Sequence, residues 1–172
     1  QEKTDYQSSA LSNVDFQRYY NSTASLRTSL GNNWGHSYTG FITKSTNQSL
    51  GEAVPTVYQP DGKIISYDLV AASWGPDADI VERLSEIPDG CGGTLGWQLT
   101  NADDTVEVYD SAGKLESITD IRGISQVLTY DSGTGVLQRV DISTGESLDF
   151  LYNTSNRLSS ITDATGRAWG YH

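Results

Sequence analysis

The feature that most limits what this chain can fold into is a repeat of about 21 residues in its C-terminal part. Three stretches carry the same pattern, namely VYDSAGKLESITDIRG (108–123), TYDSGTGVLQRVDISTG (129–145) and LYNTSNRLSSITDATG (151–166). The aromatic residues Tyr109, Tyr130 and Tyr152 that open them are 21 and 22 residues apart. A constant period of this length is typical of proteins built by stacking one small structural unit.

Each copy has an aromatic residue, a turn residue, two apolar residues, an acidic residue and a closing glycine. In chain order these are Tyr109, Gly113, Leu115, Ile118, Asp120 and Gly123, then Tyr130, Gly135, Leu137, Val140, Asp141 and Gly145, then Tyr152, Asn156, Leu158, Ile161, Asp163 and Gly166. About 21 residues hold two strands of ordinary length and two turns. Each copy therefore predicts one β-hairpin, with Asn156 tolerated in place of glycine because Asn adopts positive φ next most readily.

The remaining sequence indicates the same fold class. Turn residues interrupt the chain about every 8 to 12 residues, and β-branched and aromatic residues lie between them, as in short antiparallel strands. The best helical candidate is the short segment 78–87, which Pro88 would end. Asp61-Gly62 between two apolar runs predicts a hairpin with a type I′ turn. We expect an all-β protein, a curved antiparallel hairpin-repeat sheet with long loops.

Three regions follow from this pattern: an N-terminal arm at 1–13, an opening segment of irregular hairpins at 14–100, and the repeat hairpins at 101–172. One hairpin cannot bury its apolar face alone, so neighbouring hairpins should pair edge to edge. An unpaired last edge invites a further strand from the same chain or a partner, which includes self-assembly. Since the sequence contains no Met and begins at Gln1, we expect it to derive from a longer precursor.

Charge and composition exclude several function classes. Asp and Glu outnumber Lys and Arg by 22 to 11, for a net charge of −11, and no basic run offers a track for phosphates. This argues against nucleic-acid binding. The apolar runs fall far short of the roughly 20 residues that span a bilayer, so membrane insertion is not expected. The lone Cys91 allows no internal disulfide and no thiolate metal cluster.

The repeat, written Tyr109-Asp110-Ser-Ala-Gly113-Lys-Leu115-Glu-Ser-Ile118-Thr-Asp120-Ile-Arg-Gly123, resembles the YD repeat of RHS proteins. The segments 16–22 (FQRYYNS) and 30–38 (LGNNWGHSY) are similar to the opening segment that precedes such repeats. Together these stretches cover roughly residues 14 to 172. Their joint occurrence in this order is far more specific than one copy of the repeat.

The resemblance implies a strip of antiparallel strands that, in full-length relatives, forms a hollow shell around a toxin or other cargo. Such relatives are secreted, exported or displayed at the cell surface. This sequence departs from them in its small number of hairpins and in lacking the Asp-Pro self-cleavage motif of many shells. Another departure is Asn33, where relatives often have glycine. The resemblance therefore implies an opening portion of a shell, or a minimal version of one.

Candidate reactive residues favour structural roles. His36 could be a base, but no nucleophile context accompanies it, so we expect it to pack in the core; His172 is terminal. The acidic pairs Asp77 with Asp79 and Asp103 with Asp104 lack a calcium-binding loop pattern. Asp120, Asp141 and Asp163 are expected to accept hydrogen bonds from turn amides. We predict no catalytic, cofactor-binding or metal-binding residues.

Two functional hypotheses remain from the sequence. The first is a non-enzymatic, secreted or cell-surface scaffold whose partners are further repeat strands and a toxin or other cargo. The second is an extracellular module that binds glycans or a cell-surface partner, because the chain has 4 Trp, 10 Tyr and 3 Phe, rings that could stack on sugars. An exposed aromatic patch would favour the second hypothesis. The sequons at Asn21, Asn47 and Asn153 matter only in a eukaryotic host.

Overall fold

The computed structural model describes residues 1–8, 14–23, 27–46, 53–70, 73–77 and 79–171. All regular secondary structure in these ranges is β-strand, and the paired strands are antiparallel, which confirms the predicted all-β class. No helix in the described ranges is long and apolar enough to cross a bilayer. The sequon at Asn47 and the terminal His172 lie outside the described residues.

The chain divides into two compact units that interleave along the sequence. Unit 1 comprises residues 1–39, 60–62 and 124–172, and unit 2 comprises residues 40–59 and 63–123. Each unit therefore combines part of the opening segment with part of the repeat region.

Unit 1 contains ten strands within the described residues. They are β1 Glu2–Gln7, β2 Asp15–Tyr20, β3 Arg27–Thr28, β4 Gly31–Asn32, β5 Trp34–His36, β15 Ser125–Tyr130, β16 Leu137–Ile142, β17 Ser147–Tyr152, β18 Leu158–Asp163 and β19 Ala168–Gly170. β1, β2 and β5 form a three-stranded sheet, and β3 pairs with β4. β15 to β19 pair in chain order. The predicted arm thus contains strand β1.

An aromatic cluster joins these two parts of unit 1. Phe16 of β2 is fully buried, and its ring centroid lies 5.2 Å from His36 of β5 and 5.8 Å from Phe150 of β17. The hydroxyl of Tyr38 donates to Gln126 of β15 at 2.8 Å. Buried aromatic pairs contribute both area and ring-to-ring attraction. The opening segment thus covers the apolar face of the repeat hairpins in this unit.

Unit 2 contains nine strands within the described residues. They are β6 Phe41–Thr46, β7 Ala53–Tyr58, β8 Ile64–Ser66, β9 Asp68–Val70, β10 Ser73–Gly75, β11 Arg83–Pro88, β12 Thr94–Thr100, β13 Val106–Asp110 and β14 Leu115–Thr119. β6, β7 and β8 form one sheet, β9 pairs with β10, and β11 to β14 pair in chain order.

Two contacts attach the opening strands of unit 2 to its repeat hairpin. The amide of Ile42 in β6 donates to the carbonyl of Gly113 at 2.8 Å, beside an isolated bridge between Phe41 and Lys114. Trp97 of β12 is 1% exposed, and the ammonium of Lys44 lies 4.8 Å from its ring centroid. A cation over a buried indole face adds attraction to the burial of the ring.

The hairpin predicted around Asp61-Gly62 forms between β7 and β8, but its turn type differs from the prediction. Gly62 has a φ of 91°, whereas Asp61 is not among the residues with positive φ, so the turn is not type I′. The amide of Gln59 donates to the carbonyl of Lys63 at 2.9 Å, which encloses a three-residue loop. Pro60 opens that loop because its fixed φ suits the first position of a type I turn.

The best helical candidate of the sequence, 78–87, forms no helix in its described residues. Ala78 lies outside the described residues, and Arg83–Pro88 form β11, which pairs with β12. Leu84 is 5% exposed, while its neighbours Arg83 and Ser85 are exposed, as expected for a strand with one buried face. Pairing with β12 therefore outweighs the weak local helical pattern.

Replacing Gly113 by Ala tests the attachment of β6 to the repeat. Gly113 has a φ of 84°, and a Cβ built there would overlap the carbonyl oxygen of Ile42. Gly123 is a matched control, because its φ is 83° and a Cβ built there meets nothing within 4 Å. We expect Gly123→Ala to cost roughly 1–2 kcal/mol of unfolding free energy through backbone strain alone. Gly113→Ala should cost clearly more, measured by urea denaturation, and equal losses would contradict this contact.

Candidate functional site: the repeated turns

One hydrogen-bonded turn ends the first strand of each predicted hairpin. In the first copy the Oδ1 atom of Asp110 accepts from the amides of Ala112 at 2.9 Å and Lys114 at 2.8 Å. The amide of Asp110 donates to the carbonyl of Lys114 at 2.9 Å, and Gly113 adopts positive φ. A short acceptor side chain thus satisfies amides that the strand ladder cannot reach.

The other two copies repeat this arrangement. Asn153 accepts from the amides of Ser155 at 2.9 Å and Arg157 at 3.0 Å, with Asn156 at a φ of 56°. Asp131 accepts from the amides of Gly133 and Thr134 in a loop that is one residue longer. The side-chain hydrogen bond from Thr134 lowers the pKa of Asp131.

A β-bulge occurs at the same place in all three hairpins. Tyr109 pairs with Leu115, Tyr130 with Leu137 and Tyr152 with Leu158, and in each case the next pair along skips one residue on the second strand. The skipped residues are Glu116, Gln138 and Ser159. A bulge of this kind lets a tyrosine and a leucine oppose each other despite the turn and increases the local twist.

The hairpin formed by β11 and β12 is a fourth copy that the sequence pattern did not reveal. Asp89 accepts from the amides of Cys91 at 2.7 Å and Gly93 at 2.8 Å, and its own amide donates to the carbonyl of Gly93. Pro88 pairs with Thr94, and the register skips Leu95. Asp89 lies 21 residues before Asp110, which equals the repeat period.

This fourth copy was not recognised in the sequence because it lacks the tyrosine and the leucine that the other three copies share. Pro88 occupies the tyrosine position and Thr94 the leucine position, so only the period and the Asp-x-x-Gly spacing of Asp89 remain. Gly90 also has positive φ, which the other turns do not require at that position. The segment around Cys91 is therefore a hydrogen-bonded turn, with the Cys91 side chain exposed.

At the opposite ends of the hairpins the prediction is correct for two aspartates and wrong for one. Asp120 accepts from the amide of Arg122 at 2.9 Å, and Asp163 accepts from the amides of Thr165 and Arg167. Asp141 lies within β16, and its Oδ1 receives the side chain of Arg139 at 2.8 Å. The residue in the equivalent turn is Ile142, whose carbonyl accepts from Gly145.

Asp163 is the most strongly perturbed of these carboxylates. Burial raises its pKa, but hydrogen bonds from Thr165 and Arg167 outweigh that effect and lower the pKa to about 2. The guanidinium of Arg167 lies 2.7 Å from the carboxylate and 5.7 Å from the ring centroid of Trp169. This carboxylate fixes the turn that leads into β19.

His36 packs in the aromatic cluster of unit 1, as predicted. Its Nδ1 accepts from the amide of Tyr38 at 3.3 Å, and burial lowers its pKa to about 3. The imidazole is therefore neutral at physiological pH. Asp103 accepts from the amide of Thr105, and Asp104 lies 3.7 Å from Arg83. In the described ranges no three His, Cys, Asp or Glu side chains are grouped to hold a metal ion.

Glu107 of β13 is a partly buried acid that sequence analysis did not identify. Burial raises its pKa, and hydrogen bonds from the hydroxyl of Tyr109 and from Asn101 at 2.9 Å oppose that rise without cancelling it. The charged form of this side chain is therefore disfavoured in the folded protein.

The comparisons with known proteins give a limited match. Residues 1–67 match the model of a domain of unknown function, DUF6531. No curated protein matches the chain. The matched region includes the opening strands β1 to β8, and the repeat hairpins from β11 onward lie outside it.

Substitution of Asp89 tests whether the β11–β12 hairpin is a true copy. We expect Asp89→Ala to lower the midpoint of urea unfolding, as Asp110→Ala should, because both lose an acceptor for two turn amides. Asp141→Ala is the control, since Asp141 accepts no turn amide and should leave the midpoint almost unchanged. If Asp89→Ala behaves like this control, the equivalence of the two turns is wrong.

Glu107→Gln should change how stability depends on pH. A carboxyl whose folded pKa is raised contributes stability below its unfolded pKa and loses it as pH rises through the folded pKa. The amide stays neutral, so the variant should gain stability relative to the parent protein as the pH rises above about 4, the ordinary pKa of Glu. Denaturation at several pH values measures this difference. Glu116→Gln, at an exposed position of the same hairpin, is the control variant. A flat difference for Glu107→Gln would contradict the raised pKa of Glu107.

Proposed function

We propose that this chain is a non-enzymatic structural scaffold, a segment of an RHS/YD-repeat β shell from a secreted or exported protein. In this function the hairpins add to one another edge to edge, and the resulting sheet encloses or displays a toxin or other cargo. The observation that carries the proposal is the set of four hairpins with the same turn acceptor and the same bulge.

The repeated geometry supports growth by addition. Each hairpin turn is closed by its own Asp or Asn, so a further hairpin requires no change in those before it. The match of residues 1–67 to an uncharacterised domain family lies in the opening segment, where the sequence resembles the region before such repeats. The matched family has no assigned function, so the proposed scaffold role rests on the repeat hairpins.

The two terminal strands of the repeat differ in how well they suit strand addition. β11 ends in Pro88, which lacks an amide proton, and also carries Arg83 and Glu86, features that discourage pairing. β19 is a short strand whose far side pairs with no other described strand. The amide of Tyr171 points toward β18, where it donates to the carbonyl of Ser159 at 2.8 Å. Because amides alternate in direction, those of Ala168 and Gly170 face away from β18. We assign the growing edge to β19.

The alternative function, a glycan- or cell-surface-binding module, called for an exposed aromatic platform. Tyr20 is the one aromatic residue among the exposed large apolar side chains of the described ranges, at 38%. Its ring centroid lies 5.2 Å from that of Trp34, and the two ring planes are tilted by 52°. A single partly exposed ring does not make a platform for several sugars, so the scaffold is the better supported function.

Light scattering of the chain over a range of concentrations tests strand addition at β19. We expect species heavier than the 18.7 kDa monomer that grow with concentration. Ala168→Pro removes an outward amide and should keep the protein monomeric, while Ala168→Ser retains that amide and should assemble like the parent. A monomer at every concentration, unaffected by Ala168→Pro, would leave this edge with no affinity for another strand and contradict the proposal.

A further inference from the structure

Unit 1 contains a cleft of about 420 Å³, a volume within the range of small-molecule sites. Its lining includes Arg18, Leu30, Asn153, Arg157, Leu158 and Tyr171. The cleft lies where the third repeat turn meets the opening segment, and the amide of Leu158 donates to the carbonyl of Ser29 at 2.9 Å there. No role in the scaffold requires an open cavity at this position.

Arg157 supplies a positive charge that no carboxylate of the described ranges neutralises. Its Nη1 atom lies 3.4 Å from the carbonyl oxygen of Thr28, and it takes part in no ion pair among those residues. Its backbone is fixed, because its amide donates to Asn153 at 3.0 Å. Gly31, with a φ of 121°, leaves room for the guanidinium, since a Cβ there would come within 3.1 Å of Nη1.

Arg18 forms a second, preorganised wall of the cleft. Its guanidinium bonds Asp5 through two nitrogens, and it lies 5.5 Å from the ring centroid of Trp34 and 5.1 Å from that of Tyr171. The hydroxyl of Tyr171 donates to the same Asp5 at 3.2 Å. These contacts hold the ring and the guanidinium in place before any ligand arrives.

Asn153 adds a further donor to the cleft, whose lining also includes the hydroxyl-bearing Ser29. Oδ1 of Asn153 already accepts two turn amides, so its side-chain NH₂ is the group left to donate. Leu30, Leu158 and the ring of Tyr171 provide apolar surface next to these donors. Guanidinium and amide donors suit a carboxylate, and apolar surface suits the C–H face of a sugar ring. The chain has a net charge of −11, so a cleft lined by positively charged and donor groups distinguishes anionic ligands from neutral ones by charge.

We propose that this cleft binds a saccharide unit that carries a carboxylate, with the carboxylate on Arg157 and a ring hydroxyl or ring oxygen on the amide of Asn153. Gly170 of β19 and Tyr171 also line this cleft. The substitutions that test binding lie at Asn153 and Arg157 in the third repeat turn and leave the outward amides of β19 in place, so the two proposals can fail independently. Asn153→Asp offers a specific probe, because Asp110 and Asp131 show that Asp serves the same turn. That substitution keeps the turn and adds a negative charge to the cleft.

The test is a titration of the full chain with glucuronate, followed by amide chemical shifts, with glucose and acetate as the comparison ligands. We expect glucuronate to bind at least about tenfold more tightly than glucose or acetate, because only glucuronate uses both the guanidinium and the ring surface. Arg157→Gln and Asn153→Asp should each weaken glucuronate binding about tenfold or more, and Arg157→Lys should retain part of it. Arg122→Gln, at a turn of unit 2, should leave it unchanged.

Three results would overturn the proposal. Equal binding of glucose and glucuronate would show that the carboxylate of the ligand makes no contribution to binding. Acetate bound as tightly as glucuronate would indicate adventitious ion binding only. Glucuronate binding that survives Asn153→Asp, with the unfolding midpoint unchanged, would place the ligand away from this cleft.

Discussion

The acceptance of two turn amides by one side-chain oxygen is the interaction on which the repeat depends. At Asp89, Asp110 and Asn153 this oxygen reaches the amides two and four residues later, where the strand ladder has ended. A residue with positive φ completes the reversal at each turn. The bulge that follows is a consequence, because the strand must regain its pairing after the turn. These local rules fix where each strand ends and therefore set the period of about 21 residues.

Local rules do not bury an apolar face, and the opening segment supplies that burial within each unit. In unit 1 the rings of Phe16 and His36 pack against Phe150 of the third repeat. In unit 2 the amide of Ile42 meets Gly113, where a side chain would prevent the approach. His36 is 4% exposed, and this burial keeps its imidazole neutral because the charged form would lack solvation by water. In each unit the repeat hairpins and the opening strands therefore depend on the same packing contacts.

The sequence predicted the features that arise from near neighbours and missed those that arise from pairing. Gly113, Asn156 and Gly166 mark turns because positive φ restricts the residue type, so these hairpins were predictable. The β11–β12 hairpin was missed because Pro88 and Thr94 stand where the other copies have tyrosine and leucine. The segment 83–87 has a weak helical pattern but forms a strand because it pairs with β12. Asp141 was aligned one residue from the true turn because that copy has Ile142 there. The cleft around Arg157 joins residues more than a hundred positions apart, and no local pattern records it.

The second repeat turn carries a consequence for how the chain tolerates change. Asp131 closes a loop that has one residue more than its counterparts, and its amide reaches Val136, yet Tyr130 still pairs with Leu137 as Tyr109 pairs with Leu115. The extra residue is absorbed within the exposed tip, and the strands on either side keep their register. Length variation at this tip therefore leaves the register of the sheet unchanged. The exposed Ser132, rather than Gly133 or Thr134 whose amides bond Asp131, is the natural position for an epitope or a spectroscopic label.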